Sequence, residues 1–341
     1  MVFKCLVGGL ALFISVLSGS WSVAAETTIF RIGTGGVGGT YYPVGQTISK
    51  AISNPTSATD CAPDPCGIPG LLAISQASNG SVSNIEDIEN NKIESGFSQS
   101  DVAYWALNGS EVFKEKGEYK NIAVIASLYM ENIHLVARKG SGIKSVSDLV
   151  GKRVSLDDPG SGTLVDARII LKAYGISEDE MRVQYIKPSP AVKKIRAGAL
   201  DAFFIVAGHP SKAIVELSND DLVTVINIDG PAADKIVSEY SYFSKQVIPA
   251  GNYKGVGDVH TLGVAALWIV GKDQSDETVY KITKAFWENL PGFQKSDAHP
   301  KLSSISLKTA FESVSVPFHP GAMKYYDEIG LKDPHFTTNR D

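Results

Sequence analysis

Twice along this chain, a short β-forming run empties into a glycine-rich turn and then into a helix. Residues 29–32 run into Gly33-Thr-Gly-Gly-Val-Gly-Gly-Thr40, and residues 42–52 beyond them carry apolar side chains at helical spacing. Residues 153–156 run into Asp157-Asp-Pro-Gly-Ser-Gly-Thr163, followed by a helical pattern over 164–174. Strands that pass straight into helices belong to α/β architectures, in which helices cover a sheet. The same turns have a chemical consequence. The first backbone N–H groups of a helix lack intrahelical partners, and the helix dipole adds partial positive charge there. Such a helix start can hold an anion without Lys or Arg. Glycine lets a ligand approach the backbone closely, and Thr34, Thr40, Ser161 and Thr163 add hydroxyl donors. Either turn alone reads equally well as an ordinary connection. Two in one chain point to a shared cleft.

The remaining pattern agrees with that class. Strand-like runs lie at 28–32, 122–128, 133–137, 202–206, 222–228 and 262–270, while Val279, Ile282, Phe286, Trp287 and Leu290 mark an amphipathic helix. Alternation of this kind predicts largely parallel sheets covered by helices. No repeat series is visible.

The first 25 residues carry one cation, Lys4, then an apolar run over 6–17, then small residues ending in Val23-Ala24-Ala25. This is the pattern of a cleavable signal peptide, and it predicts a periplasmic protein. The apolar run falls short of the ~20 residues that span a bilayer, so the mature chain 26–341 is expected not to be membrane-embedded. Cys5 leaves with the segment. The two cysteines that remain, Cys61 and Cys66, sit in a loop rich in Pro, Asp and Gly. In an oxidising compartment an even pair favours a structural disulfide over a metal site, which would need further ligands. The chain has 32 Lys and Arg against 37 Asp and Glu. With no basic excess, a nucleic-acid partner is not expected.

Catalytic motifs fare poorly. Gly33, Gly35 and Gly38 spell G-x-G-x-x-G, but position 53, where an acidic ribose partner would be sought, is Ser. Asp60, the next carboxylate, falls in the cysteine loop. The second turn lacks the Lys of a phosphate loop. His134, His209, His260, His299, His319 and His335 show no metal spacing, and no G-x-S-x-G elbow occurs. No catalytic residue, metal or cofactor is expected, and the chain reads as a binding protein, not an enzyme.

A family resemblance then sharpens the reading. The run Ile32-Gly-Thr-Gly-Gly-Val-Gly-Gly-Thr-Tyr-Tyr-Pro43 resembles the opening signature of the TAXI family, the solute receptors of one class of TRAP transporters. Further segments match in order: Ser83-Asn84-Ile85, Gly96-Phe-Ser-Gln-Ser-Asp101, Leu128-Tyr129-Met-Glu131-Asn-Ile-His134 and Pro159-Gly-Ser-Gly-Thr163. Gly208-His-Pro210, Ile248-Pro-Ala-Gly-Asn-Tyr253 and Phe318-His-Pro-Gly-Ala322 complete the set, which covers essentially the whole mature chain. The resemblance implies a two-lobed type II periplasmic-binding-protein fold, with a ligand cleft between α/β lobes joined by crossing strands near 132–138 and 260–270. Lobe one is expected to combine 26–132 with 262–341, and lobe two to span 133–261. Such receptors bind small carboxylates or amino acids such as glutamate and hand them to TRAP membrane subunits. The expected ligand is a small anionic or zwitterionic solute.

Candidate site residues follow from turns and resemblance together. Thr34, Gly35, Gly36 and Thr40 from the first turn, and Ser161, Gly162 and Thr163 from the second, are placed on a ligand carboxylate. Tyr41 and Tyr42 are candidates to wall the pocket. Gln99, Ser100 and Asp101 are candidates for polar contacts, with helix capping the competing role of Asp101. An ammonium group would be met by Asp101 or Glu131. Gly208, His209, Tyr129, His134 and Tyr253 complete the set. A ligand sensor, or a periplasmic enzyme, on the same scaffold would share these features, since fold alone does not decide function.

Overall fold

The computed structural model describes residues 27–55, 67–295 and 299–332. The expected signal segment 1–25 and the expected Cys61–Cys66 disulfide lie outside the described residues. Chain order begins with β1 (Thr28–Gly33), α1 (Tyr41–Ile52), the short β2 (Ser53–Asn54) and β3 (Ile68–Pro69), β4 (Leu71–Gln76), α2 (Ser81–Glu89), β5 (Ser95–Gln99) and α3 (Ser100–Asn108). The long β6 (Ala123–Arg138) leads to β7 (Arg153–Ser155), α4 (Gly162–Ala173), β8 (Arg182–Gln184), α5 (Pro188–Arg196) and β9 (Ala202–Ala207). Next come α6 (Lys212–Asn219), β10 (Val223–Ile226), α7 (Gly230–Glu239) and β11 (Ser244–Ile248). The chain returns through β12 (Val259–Val270) and ends with α8 (Asp276–Gln294) and α9 (Pro320–Glu328).

One hydrogen-bonded path links the strands in the order β3-β2-β4-β1-β5-β12-β6-β9-β7-β8. Two parallel blocks lie along it, β4-β1-β5 in the first lobe and β9-β7-β8 in the second. The expectation of largely parallel sheets holds inside these blocks and fails between them. There β6 and β12 run antiparallel to each other and to β9 and β5. These two strands serve both lobes. Ala123–Asn132 of β6 pair with β12, and from Asn132 onward the strand pairs with β9 and then, on its other edge, with β10. Sequence patterning split β6 into 122–128 and 133–137, because Glu131 and Asn132 interrupt its apolar run. The structure runs the strand through, because both side chains are buried with partners of their own. The Tyr41 hydroxyl donates to Glu131 Oε2 at 2.6 Å, and His209 Nδ1 lies 2.6 Å from Asn132 Oδ1.

Periodicity explains the packing. In β1, Phe30 and Ile32 are buried while Ile29 is half exposed, the period of two of a half-covered strand. On α8, Val279, Ile282, Phe286 and Leu290 form the buried stripe, and Phe286 packs edge-on to Trp268 of β12 with centroids 5.4 Å apart. A separate cluster in the second lobe gathers Ile195, Phe203, Ile205, Ile214 and Leu217. The largest cluster crosses between lobes, and at its edge Trp105 Nε1 of α3 donates to the Tyr242 hydroxyl at 2.6 Å.

Asp201 ties β7 and β9 to the crossing strand. Its carboxylate accepts from Arg153 Nε at 2.9 Å and backbone N at 3.0 Å, and from Arg138 Nη2 at 2.9 Å. The Arg153 hydrogen bond and the neighbouring Arg138 hold that carboxyl well below the usual range. Replacing it, as in Asp201→Asn, is expected to lower stability by about 1–2 kcal/mol at neutral pH, because charge-assisted bonds are lost at a partly solvated site. Urea unfolding at pH 7 reads this. A midpoint equal to that of the parent would show the cluster to be ornamental.

Candidate binding site

Strands β1, β5 and β7 end at a narrow cavity of about 50 Å³ between the lobes. Ligands of open α/β sheets bind outside the carboxyl ends of such strands. Five helices begin on the wall. Thr40 and Tyr41 open α1, Gly80 and Ser81 open α2, and Gln99 precedes α3. Ser161 to Thr163 open α4, and Lys187 with Pro188 opens α5. Each start brings a positive dipole end to the same wall. Ser161 caps α4 by accepting from Leu164 N at 3.1 Å, which leaves the N–H groups of Gly162 and Thr163 for the cavity. The bend into α4 is made by Asp157 and Gly160, both with positive φ (75° and 92°).

The lobes are drawn onto each other at this point. Ser83 N donates to Gly160 O at 3.0 Å and Asn79 Nδ2 to Pro159 O at 2.9 Å. The Thr40 hydroxyl donates to Gly208 O at 3.0 Å, and Gln99 Nε2 donates to Asp166 Oδ2 at 3.1 Å. Gly162 is where the approach is tightest. A Cβ there would stand 1.5 Å from Gln99 Oε1 and 2.9 Å from Ser81 Oγ.

Charge is unevenly spread around the cavity. Glu131, 1% exposed, is pushed up to about 8 by burial. Burial likewise raises Asp101 to about 6 and carries Asp157 and Asp166 well above the usual carboxylate range. Burial also lowers the Lys301 ammonium, against the pull of Glu131. It holds His134 down at about 3 and His209 at about 4. Both imidazoles are therefore neutral at physiological pH. Among the described residues, no group of three or more His, Cys, Asp or Glu side chains is arranged to hold a metal ion.

Nine of the residues anticipated from sequence border the cavity. Gly35, Gly36, Thr40 and Tyr41 come from the first turn, Gln99 and Glu131 from β5 and β6, and Ser161, Gly162 and Thr163 from the second turn. Others are committed elsewhere. The Thr34 hydroxyl donates to Gln76 O at 2.7 Å, closing the β1–β4 edge. Ser100 Oγ accepts from Ala265 N at 3.2 Å, tying α3 to β12. Asp101 lies behind the wall in the first turn of α3, and the cap position belongs to Gln99 instead. Tyr42, half buried, does not border the cavity. Tyr129 is buried beneath Lys301, whose Nζ lies 5.8 Å from its ring centre. His134 and Tyr253 pair with each other, Nε2 to hydroxyl at 2.9 Å, inside the second lobe. Gly208 gives its carbonyl to Thr40, and its Cα packs on the Lys301 stem. His209 braces Asn132.

Asn79, Gly80, Ser81, Asp157, Asp158 and Lys187 also border the cavity without having been singled out as site residues. Asp157 and Asp158 open the second glycine turn, so their place was within reach. Nothing local marks Lys187, which reaches back across the lobes to donate to Ser78 O at 3.2 Å.

The sequence matches the profile described as the NMT1-like family over residues 32–330. Among solved structures, a protein from Bordetella bronchiseptica RB50 is similar at 16% identity, with 90% of each chain covered and a TM-score of 0.51. The alkanesulfonate-binding protein SsuA from Xanthomonas axonopodis pv. citri, bound to MOPS, is 14% identical over 89% of this chain and 85% of its own, with a TM-score of 0.46. A mutant of ArgBP from T. maritima is 14% identical, covering 81% of this chain and 95% of its own, with a TM-score of 0.46. The likeness to the Bordetella protein is one of fold.

Proposed function

This chain belongs to the NMT1-like family, and from that premise we propose that it is a periplasmic solute receptor, which binds a small carboxylate or amino acid without converting it. Lobe one, 26–132 with 262–341, and lobe two, 133–261, close around the solute. The loaded form is handed to membrane transport subunits, of the TRAP class that the sequence resembles. The observation that carries this reading is the cavity between the lobes, onto which five helix starts from both lobes converge. A carboxylate placed there meets N–H donors from each half, so binding favours the closed arrangement over the open one. No helix of the described residues is long and apolar enough to cross a membrane.

A thermal-shift screen of the mature protein against small carboxylates, amino acids and nicotinamide cofactors tests the proposal. Ligand at ~100 times its dissociation constant adds about 2.7 kcal/mol of stability. X-ray scattering on the hit should show compaction. A hit confined to nicotinamide cofactors, or turnover of the bound compound, would replace the receptor with an enzyme.

A further inference from the structure

Behind the cavity wall, α3 and α4 bring two carboxyl groups face to face. Asp101, in the first turn of α3, and Asp166, on α4, are both 0% exposed, and a hydrogen bond joins their side chains. An ionised carboxylate has only acceptor oxygens, so the two can share that bond only when one of them carries a proton. Asp101 also accepts from the backbone N–H of Val102, which suits the ionised form, and Asp166 is therefore the donor. Oδ2 of Asp166 accepts from Gln99 Nε2 at 3.1 Å. The other titratable groups around the pair bring it no positive charge. Glu131 of β6 faces both aspartates as a further carboxyl, and the Tyr41 hydroxyl donates to it at 2.6 Å. Tyr242 stands beside Asp101 and accepts from Trp105 Nε1. The Lys301 ammonium is drawn to Glu131. Two buried carboxylates this close cannot both be ionised, and burial favours the protonated form of each.

We propose that closing the lobes takes up a proton from solvent, held between Asp166 and Asp101, so that the protein captures its solute and a proton together. The inference rests on the receptor reading above, in which α3 belongs to one lobe and α4 to the other, and it adds a linkage which that reading does not need. Parted by opening, each aspartate meets the water of the cleft and ionises in the ordinary range near about 3.9. At neutral pH the open form has therefore released the proton that the closed form retains. Capture weakens as pH rises, by about tenfold per pH unit for one proton. Below about pH 4 both forms hold the proton and the dependence disappears.

Calorimetric titration with a panel of small carboxylates and L-amino acids, at pH 7 and 8 and in buffers of different ionisation enthalpy, counts the protons taken up on binding. The same probes on Asp166→Asn cancel any titration of the probe itself. An amide at 166 can donate to Asp101 and accept from Gln99 without a proton. The wild type is expected to take up about one proton more than this variant. From pH 7 to 8 its affinity should fall about tenfold more. Asp101→Asn should reduce the uptake likewise, whereas Glu131→Gln should leave the pair's proton in place. Binding without proton uptake in the wild type overturns the shared proton while the receptor stands. So does uptake that persists in Asp166→Asn, whichever other carboxyl carries it. A panel in which nothing binds removes the receptor of small acids itself, and the inference with it.

Discussion

Alanine in place of Gly162 is expected to weaken solute capture by roughly 30- to 1,000-fold while both lobes remain folded. Gly162 opens α4 in ordinary helical conformation, so the backbone tolerates alanine, whose helix propensity is about 1 kcal/mol better than that of glycine. The cost arises only when the lobes meet. The added methyl would lie 1.5 Å from Gln99 Oε1 and 2.5 Å from its Cδ, with Ser81 Oγ at 2.9 Å. For closure to proceed, Gln99 must swing away and surrender its hydrogen bond to Asp166. Overpacking costs about 1–3 kcal/mol and a lost buried hydrogen bond about 1 kcal/mol. Both fall on the closed state alone. Titration should show the weakened affinity, and scattering a radius of gyration that stays large at ligand concentrations that compact the wild type. Wild-type affinity together with full compaction would mean that Gln99 has an alternative seat in the closed form, and the tight fit at Gly162 would carry no functional weight.

Stability should fall as pH rises from about 6.5 to 8, and Glu131→Gln should remove roughly 2 kcal/mol of that fall. A carboxyl whose native value is raised keeps its proton after the unfolded chain has released one. Glu131, at about 8 in the fold, therefore favours the native state below its unfolded value near 4.5 and withdraws that support as pH climbs to 8. Asp101, at about 6, does the same over a shorter range. His134 and His209 oppose both. Burial holds them neutral down to about 3 and about 4, so their support grows with pH and is complete near 6.5. Below 6.5 the histidines offset part of the carboxyls' effect, whereas above it Glu131 acts against the fold with no histidine to compensate. Each pH unit over which one extra proton is held natively is worth about 1.4 kcal/mol. Urea midpoints at pH 6.5 and 8 for both proteins read the difference. Parallel profiles would place the proton on another group, with Asp157 and Asp166 next in line.

The site was legible wherever its chemistry lies in consecutive residues. The Gly33–Thr40 and Asp157–Thr163 turns were found because a strand, a glycine cluster and a helix follow one another in the chain, and both border the cavity. Asp101 is a ligand candidate in sequence with helix capping as its competing role, yet Gln99 takes the cap position and Asp101 faces Asp166 of the other lobe. Thr34 is a candidate from the first turn and His134 one from the matched segment Leu128–His134, and in the structure they hydrogen-bond Gln76 and Tyr253.

Sequence alone sufficed for the α/β class, the two helix-start turns and most element positions, because each depends on side-chain periodicity and turn chemistry within a few residues. Tertiary structure decided the continuity of β6 through Glu131 and Asn132, the antiparallel seam that joins the lobes, and the meeting of Asp101, Glu131 and Asp166 around Gln99. Those features depend on which distant segments are brought together and how far each is removed from water. A carboxylate reads the same in sequence whether it ends in solvent or in a closed cleft, and burial there is what changes its charge.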